Sequence, residues 1–308
     1  MLETGQQAPF QRIALIGLGL IGSSIARAVR QAMPAVDLRG YDSDPGVRSR
    51  AAQLGLVDAL ADDAAAAVEG ADLVLFCVPV GAMADAARAV AGHISSGAII
   101  SDAGSCKVPV ASTLKQALPG ALIIPGHPIA GTENSGPDAG LAGLFRNRWC
   151  ILTPEPETDP HAVDRLVAFW SALGAKVEIM DASRHDLVLA VTSHLPHLIA
   201  YTIVGTASHL ESVTEGEVIK YSAGGFRDFT RIAASDPTMW RDIFLSNREA
   251  VLDVLGRFLG DLSELENAIV RGDGDALFDW FSRTRATRRA IVYEGQDVAA
   301  PDFGRSVS

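Results

Sequence analysis

The sequence predicts an α/β domain built on a parallel sheet, followed by an all-α domain, on three observations. Short apolar runs alternate with helical spacing up to residue 180. A glycine-rich turn sits between the first such run and the first helix. From Asp181 onward the strand signals stop and helical periodicity takes over. Strands alternating with helices imply parallel pairing through right-handed crossovers. The expected boundaries are therefore 1–180 for the α/β domain and 181–308 for the helical one.

Arg12-Ile-Ala-Leu-Ile-Gly17 reads as a buried strand, and Ser23 to Ala32 as a helix. Between them lies Gly17-Leu18-Gly19-Leu20-Ile21-Gly22, a GxGxxG turn. Each glycine has its own task there: a tight turn, close backbone approach to a pyrophosphate, and close packing of helix on strand. The free N–H groups and positive end of the helix then face the phosphates. Alone this motif is weak. A second strand, Asp37 to Tyr41, strengthens it by ending at Asp42, about 20 residues past the last glycine, where a dinucleotide fold places its ribose-binding acid. A carboxylate there accepts from ribose hydroxyls and repels a 2′-phosphate, so the expected cofactor is NAD rather than NADP. The fold is of the Rossmann type, with Gly17, Gly19, Leu20, Ile21, Gly22 and Asp42 against the cofactor.

The alternation continues with strands at Asp72–Val78, Ala98–Ser101 and Ala121–Ile124, and helices over Gly81–Gly92 and Val108–Leu118. Ligands in such sheets lie beyond the carboxyl ends of the strands. The loops Val78-Pro79-Val80, Asp102–Lys107 and Pro125–His127 should thus converge on one cleft, with Val78 and Pro79 beside the cofactor. Trp149–Leu152 and Lys176–Ile179 read as further strands that extend the same sheet, with a helix over Ala162–Leu173 between them.

In the second half, Ala182–Ser208 reads as one long apolar helix, followed by helices over Met239–Leu259, Leu262–Arg271 and Gly274–Tyr293. The stretch Leu187–Gly205 has the apolarity of a membrane span. It carries His194, Pro196, His197 and several hydroxyls, which suit a buried central helix better. So apolar a first helix needs more than its own domain for burial, which predicts a homodimer built on the helical part.

Composition narrows the partners. Hydrophobic residues make up 48% and the formal net charge is −11, a folded globular balance that disfavours nucleic acid. The three cysteines, Cys77, Cys106 and Cys150, form no CxxC pair, and free thiols in a reducing compartment are expected. Met1 to Phe10 shows no secretory signal pattern. A cytoplasmic location and no membrane partner follow as expectations.

Three stretches carry chemistry. In Pro125-Gly-His-Pro-Ile-Ala-Gly-Thr-Glu133, His127 directly follows a core strand. A neutral imidazole there can take a proton from a substrate hydroxyl while hydride leaves the same carbon; a structural loop histidine is the alternative. In Thr192-Ser-His-Leu-Pro-His197, Pro196 frees a backbone carbonyl inside a helix, and His194 and His197 share a face. No cysteine or HExxH pattern supports a zinc site there, so no metal is expected. In Gly224-Gly-Phe-Arg-Asp-Phe-Thr-Arg231, Arg231 offers a fork suited to a carboxylate, against the alternative of a surface ion pair.

Together with Asp102-Ala-Gly-Ser105 and Lys107, these stretches resemble the prephenate/arogenate (cyclohexadienyl) dehydrogenase family over nearly the whole chain. The resemblance implies NAD-dependent oxidative decarboxylation of a cyclohexadiene in tyrosine biosynthesis. It implies His127 as the catalytic histidine and Ser105 as the serine that positions the substrate hydroxyl and the nicotinamide. It further implies Arg231 as the carboxylate clamp, His197 as a pocket histidine, Thr132 and Glu133 at the pocket mouth, and Trp240 reaching in from the partner subunit. Two alternatives have different demands. A β-hydroxyacid-type dehydrogenase resembles this layout but places a catalytic lysine on the long helix, and Asp186 to Ile219 contains no Lys or Arg. A non-enzymatic NAD-sensing protein would keep the glycine turn and Asp42 without needing His127 and Arg231 together.

Overall fold

The computed structural model describes residues 8–132, 134–211 and 220–293. The chain falls into two compact units, Met1–Val251 and Leu252–Ser308. Residue 180 is where strands give way to helices; the division into compact units comes later, within a helix.

The first unit is organised by a six-stranded parallel sheet of order β3-β2-β1-β4-β5-β6. Its strands are β1 (Arg12–Ile16), β2 (Asp37–Tyr41), β3 (Ala59–Leu60), β4 (Leu73–Phe76), β5 (Ile99–Asp102) and β6 (Leu122–Ile123). The period-two geometry of a strand sends alternate side chains to opposite faces. Ile13 and Leu15 of β1 enter one core while Ala14 and Ile16 enter the other. The first core is closed by α1 (Leu20–Ala32) and α6 (Pro160–Ala172), which supply Ile25, Val29, Leu166, Phe169 and Trp170. The second is closed by α3 (Ala64–Val68), α4 (Met83–Val90) and α5 (Val108–Ala117), which supply Ala67, Met83, Ala87, Val90 and Leu114. With both faces covered, β4 and all of β1 but Arg12 read as continuous apolar runs, as a buried parallel sheet requires. Helix α2 (Pro45–Gln53) follows β2, its N-terminus capped by the Asp44 carboxylate, which accepts from Gly46 N–H and Val47 N–H. Neither α2, α3 nor β3 was expected. They are short, and their Ala, Asp and Gly content leaves little apolar period to read.

The strand order reverses between β1 and β4, so the loops after these two strands open the crevice that ligands use in such sheets. Gly17 turns the chain there with φ +101°, and a Cβ on it would meet the Cys77 backbone at 2.8 Å. A Cβ at Gly22 would stand 2.0 Å from the Gly17 carbonyl oxygen. Both positions therefore require glycine.

One expectation is overturned. Trp149–Leu152 (β8) and Lys176–Ile179 (β9) do not extend the main sheet. They form a separate three-stranded sheet, β7-β8-β9, with β7 (Gly126–Pro128) pairing antiparallel to β8 and β9 parallel to it. The reason lies at Pro125 and Pro128. Two prolines within four residues deny donors to a continuing parallel ladder, and the chain turns out of the main sheet after β6. His127 thereby comes to pair with Ile151 in the small sheet.

The helical segments of this unit begin with α7 (Ala182–Leu189), started by the Asp181 carboxylate, which accepts from Ser183 and Arg184 N–H. A π-helical turn, Ala190–His194, links it to α8 (Leu195–Glu211). Pro196 has no N–H and crowds the carbonyl four residues back, and the widened turn immediately precedes it. Ala182–Leu210 is long and apolar enough to cross a membrane (mean hydropathy 1.6); Val191, Ile203 and Val204 on it are exposed, whereas His185, Asp186 and His194 are buried. After α9 (Gly224–Thr230) and a 3-10 turn (Arg231–Ala234) comes α10 (Pro237–Ser246). The helix expected over Met239–Leu259 is two helices. Asn247 ends α10 and turns its side chain inward, where its amide donates to the Asp186 carbonyl oxygen at 2.8 Å. The next helix, α11, covers Arg248–Arg271 without the break expected near Leu262.

The second unit holds the rest of α11 and α12 (Gly274–Tyr293), joined at Gly272 with φ +65°. Leu252, Leu259, Leu262, Ile269, Val270, Phe278 and Phe281 are exposed on it.

Gly22→Ala should lower stability by about 1–3 kcal/mol, the range for overpacking a close contact. Gly256→Ala, which meets nothing within 4 Å inside α11, should leave stability equal or raise it by about 1 kcal/mol. Urea denaturation of both variants checks the contrast.

Candidate active site

The site is assembled at the loop between β5 and α5. Asp102 ends β5, fully buried, and Lys107 starts α5, also fully buried. Lys107 Nζ donates to Asp102 Oδ2 at 2.5 Å and to the Gly126 carbonyl oxygen at 2.5 Å. Asp102 also accepts from Gly104 N–H and Gly126 N–H. Burial pushes the Asp102 carboxyl up, while the Lys107 charge and those hydrogen bonds oppose it. Asp186 of α7 fastens the same loop from the other side. Its Oδ1 accepts from Lys107 N–H at 2.7 Å and its Oδ2 from Val108 N–H at 2.9 Å.

These bonds leave His127 next to Lys107 and Asp186. His127 is 9% exposed, and its Nδ1 lies 2.9 Å from His185 Nε2. His185 Nδ1 in turn lies 2.8 Å from Asp186 Oδ1. Burial, then the proximity of His185, Lys107 and His194, pushes the His127 pKa well below its ordinary value. His127 is therefore a neutral imidazole at physiological pH. His194 is fully buried beside Asn247, whose amide is 3.1 Å from its Nδ1, and burial pushes it down to about 4.

A second group of expected residues gathers on α8 and α10. The His197 ring stacks on Trp240 with centroids 3.6 Å apart, and its Nδ1 donates to the Ser193 carbonyl oxygen. His197 is held below its ordinary pKa by burial, with the Arg231 charge adding to the effect. Trp240 is 6% exposed within its own chain, packed with Cys106, Ile243, Tyr201 and Phe244. Cys106, buried with its thiol pushed up to about 12, is an apolar wedge between the β5–α5 loop and α10, not a nucleophile. Ser105 is half-buried in the same loop. Thr132 is exposed, and its hydroxyl accepts from Asn134 N–H. Glu133 lies outside the described residues. No group of three or more His, Cys, Asp or Glu able to hold a metal occurs among the described residues.

The dinucleotide-binding turn has the shape its sequence requires. Asp42 Oδ2 accepts from Leu18 N–H at 2.8 Å, fastening the end of β2 to the glycine turn. Gly19 precedes α1 with no side-chain cap, and space at its Cβ position is open. The first-turn N–H groups of α1 have no partner within the helix, and a helix start of this kind suits a phosphate. Gly104 and Val80 approach closely, a Cβ at Gly104 lying 3.3 Å from Val80. The three loops expected to converge do so.

Residues 25–179 match the family described as prephenate dehydrogenase, nucleotide-binding domain, and residues 181–283 match prephenate dehydrogenase, dimerization domain. The chain belongs to the prephenate dehydrogenase family. Among its relatives, the cyclohexadienyl dehydrogenase of Zymomonas mobilis is 48% identical over 92% of this chain and 96% of its own length. The prephenate dehydrogenase of Bacillus subtilis is 35% identical over 94% and 78%. The crystal structure of Aquifex aeolicus prephenate dehydrogenase with hydroxyphenyl propionate and NAD+ superposes with a TM-score of 0.85 at 35% identity, covering 91% of this chain and 98% of that one. Arogenate dehydrogenase from Synechocystis superposes at 0.77 with 27% identity, covering 91% and 99%.

In this prephenate dehydrogenase family member, two residues near His127 had not been singled out: His185 and Asp186. The only signal was an adjacent His-Asp pair at the start of an otherwise apolar helix.

The buried histidines also set an acid limit on stability. His194 has an ordinary value of 6.5 and sits at about 4 in the folded chain. Below pH 6.5 the unfolded chain binds a proton that the folded chain does not, so stability present above that pH is lost as pH falls toward 4. His127 shifts in the same direction and adds to the loss. Urea midpoints should therefore decline from pH 7 to pH 5, and His194→Gln should make that decline shallower.

Proposed function

We propose that this chain catalyses NAD-dependent oxidative decarboxylation of prephenate, arogenate or both, yielding 4-hydroxyphenylpyruvate or tyrosine. The observation that carries the reading is the buried, neutral His127 held next to the β5–α5 loop, in a chain matched over both domains of the family. The relatives act, by name, on prephenate, arogenate or cyclohexadienyl substrates.

The roles follow from chemistry. His127 takes the proton of the ring hydroxyl as the base, with Ser105 positioning that hydroxyl. Arg231 grips a substrate carboxylate, and His197, braced by Trp240, lines the pocket with Thr132 and Glu133 at its mouth. Gly17, Gly19, Leu20, Ile21 and Gly22 hold the pyrophosphate, Asp42 the ribose, and Val78 and Pro79 flank the cofactor. NAD, held by these residues, would supply the acceptor for the hydride of the hydroxyl-bearing carbon. Carbon dioxide leaves the opposite carbon and the ring becomes aromatic, which drives the step. The protein contributes orientation, a base and carboxylate recognition.

The domain boundary near residue 180 is supported by the meeting of the two family matches there. A homodimer through the helical part is supported by the dimerization-domain match and the exposed Val191, Ile203 and Val204 on α8 and its preceding turn. A soluble, cytoplasmic enzyme fits three free cysteines.

His127→Asn should lower kcat by about 10²–10⁴-fold with NAD affinity unchanged. Arg231→Gln should raise KM about tenfold or more, the loss of one charge-assisted bond. Steady-state kinetics with both substrates and NAD titration check this; unchanged kcat in the first variant removes His127 from the mechanism.

A further inference from the structure

His127 does not stand alone. It is one end of a buried chain that runs His127 Nδ1, His185 Nε2, His185 Nδ1, Asp186 Oδ1, with separations of 2.9 and 2.8 Å. His185 is fully buried and Asp186 is 4% exposed. The two imidazoles meet edge-on, with centroids 5.1 Å apart and planes at 63°, so the short N···N approach is a hydrogen bond and not a stack.

The direction of each bond is determined from the Asp186 end. Both Asp186 oxygens accept backbone N–H groups, from Lys107 and Val108, so the carboxylate acts as an acceptor. His185 Nδ1 must then carry the proton and donate to it. A neutral His185 with its proton on Nδ1 has a bare lone pair on Nε2. That lone pair accepts, so His127 Nδ1 must carry the proton of His127. The remaining nitrogen, His127 Nε2, is left with a lone pair. It has no protein partner among the described residues.

From this geometry we infer that His185 and Asp186 are positioning residues that fix His127 in the Nδ1–H tautomer, presenting Nε2 as the base. The inference rests on the dehydrogenase reading of His127. It adds a second consequence. When Nε2 takes the substrate hydroxyl proton, His127 becomes a cation in a buried site already near Lys107. The Nδ1 proton can then pass to His185 Nε2. His127 is neutral again, and His185 holds two protons with its charge against the Asp186 carboxylate. One proton has entered at Nε2 and one has left at Nδ1, so the balance is closed and no further reactant is needed. The positive charge has moved next to the Asp186 carboxylate, an anion, which favours it. The same logic governs a serine hydrolase histidine held by its aspartate, here with one more imidazole inserted.

Three tests separate this from a purely structural role. In the wild-type protein with NAD bound, nitrogen-15 NMR of the histidine side chains should report His127 with Nδ1 protonated and Nε2 bare. An Nε2–H tautomer overturns the inference whatever the activity. His185→Phe keeps ring volume and removes the acceptor; kcat should fall about 10²-fold, the low end of what a general base contributes, with KM for substrate and NAD affinity little changed. His185→Gln can offer its amide oxygen near the lost Nε2 and should recover part of that loss. Wild-type kcat in the Phe variant overturns the inference, as does a Gln variant no better than Phe when both remain folded by circular dichroism. Absence of turnover in the wild-type protein would count against the dehydrogenase reading instead, while the tautomer measurement still decides the positioning claim.

Discussion

The buried ion pair between Lys107 and Asp102 is the constraint on which the site depends. It stands where the central strand β5 ends and α5 begins, and through Lys107 it also holds the Gly126 carbonyl oxygen. A charged pair taken out of water repays its desolvation only when its other hydrogen-bonding positions are filled. Here they are filled by the backbone of Gly104 and Gly126. The pair therefore acts as a brace that joins the main sheet to the strand carrying His127. Removing one partner would leave an uncompensated buried charge, at a cost of about 3–5 kcal/mol, and would release β7 as well. Asp186 applies the same device from the helical side, binding two backbone N–H groups of that loop while its own carbonyl is held by Asn247. The histidine is thus set by three elements distant in sequence.

The electrostatics follow from this brace. Three histidines, His127, His185 and His194, are buried near one lysine cation. Each would pay desolvation to become charged, and each would raise the cost for the others. All three are pushed below their ordinary values. A cluster of neutral imidazoles is suited to accept one proton and to spread its charge. The same burial makes the fold sensitive to acid.

Much of this could be read in the sequence, for identifiable reasons. The parallel sheet was legible because β1 and β4 are buried on both faces and so are almost continuously apolar. His127 could be singled out because it directly follows a core strand, and Arg231 because its fork suits a carboxylate, whereas the roles of His197 and Trp240 came only with the family resemblance. The small sheet was misassigned because its strands have the apolar character of the main one; only Pro125 and Pro128 hint that the chain leaves it. The break at Asn247 was missed because apolar spacing continues through it, and its cause is a contact with Asp186, 61 residues away. His185 and Asp186 escaped because nothing local distinguishes a network residue from a helix-start polar pair. Their role exists only once α7 lies against the β5–α5 loop.

Oxidation of a cyclohexadiene with loss of carbon dioxide is the activity on which all these assignments converge. The direct measurement is the stoichiometry of NADH and carbon dioxide formed by the wild-type protein from prephenate and from arogenate. The account predicts equal amounts of both products from at least one of the two substrates. NAD binding with neither product formed, or NADH without carbon dioxide, would contradict it.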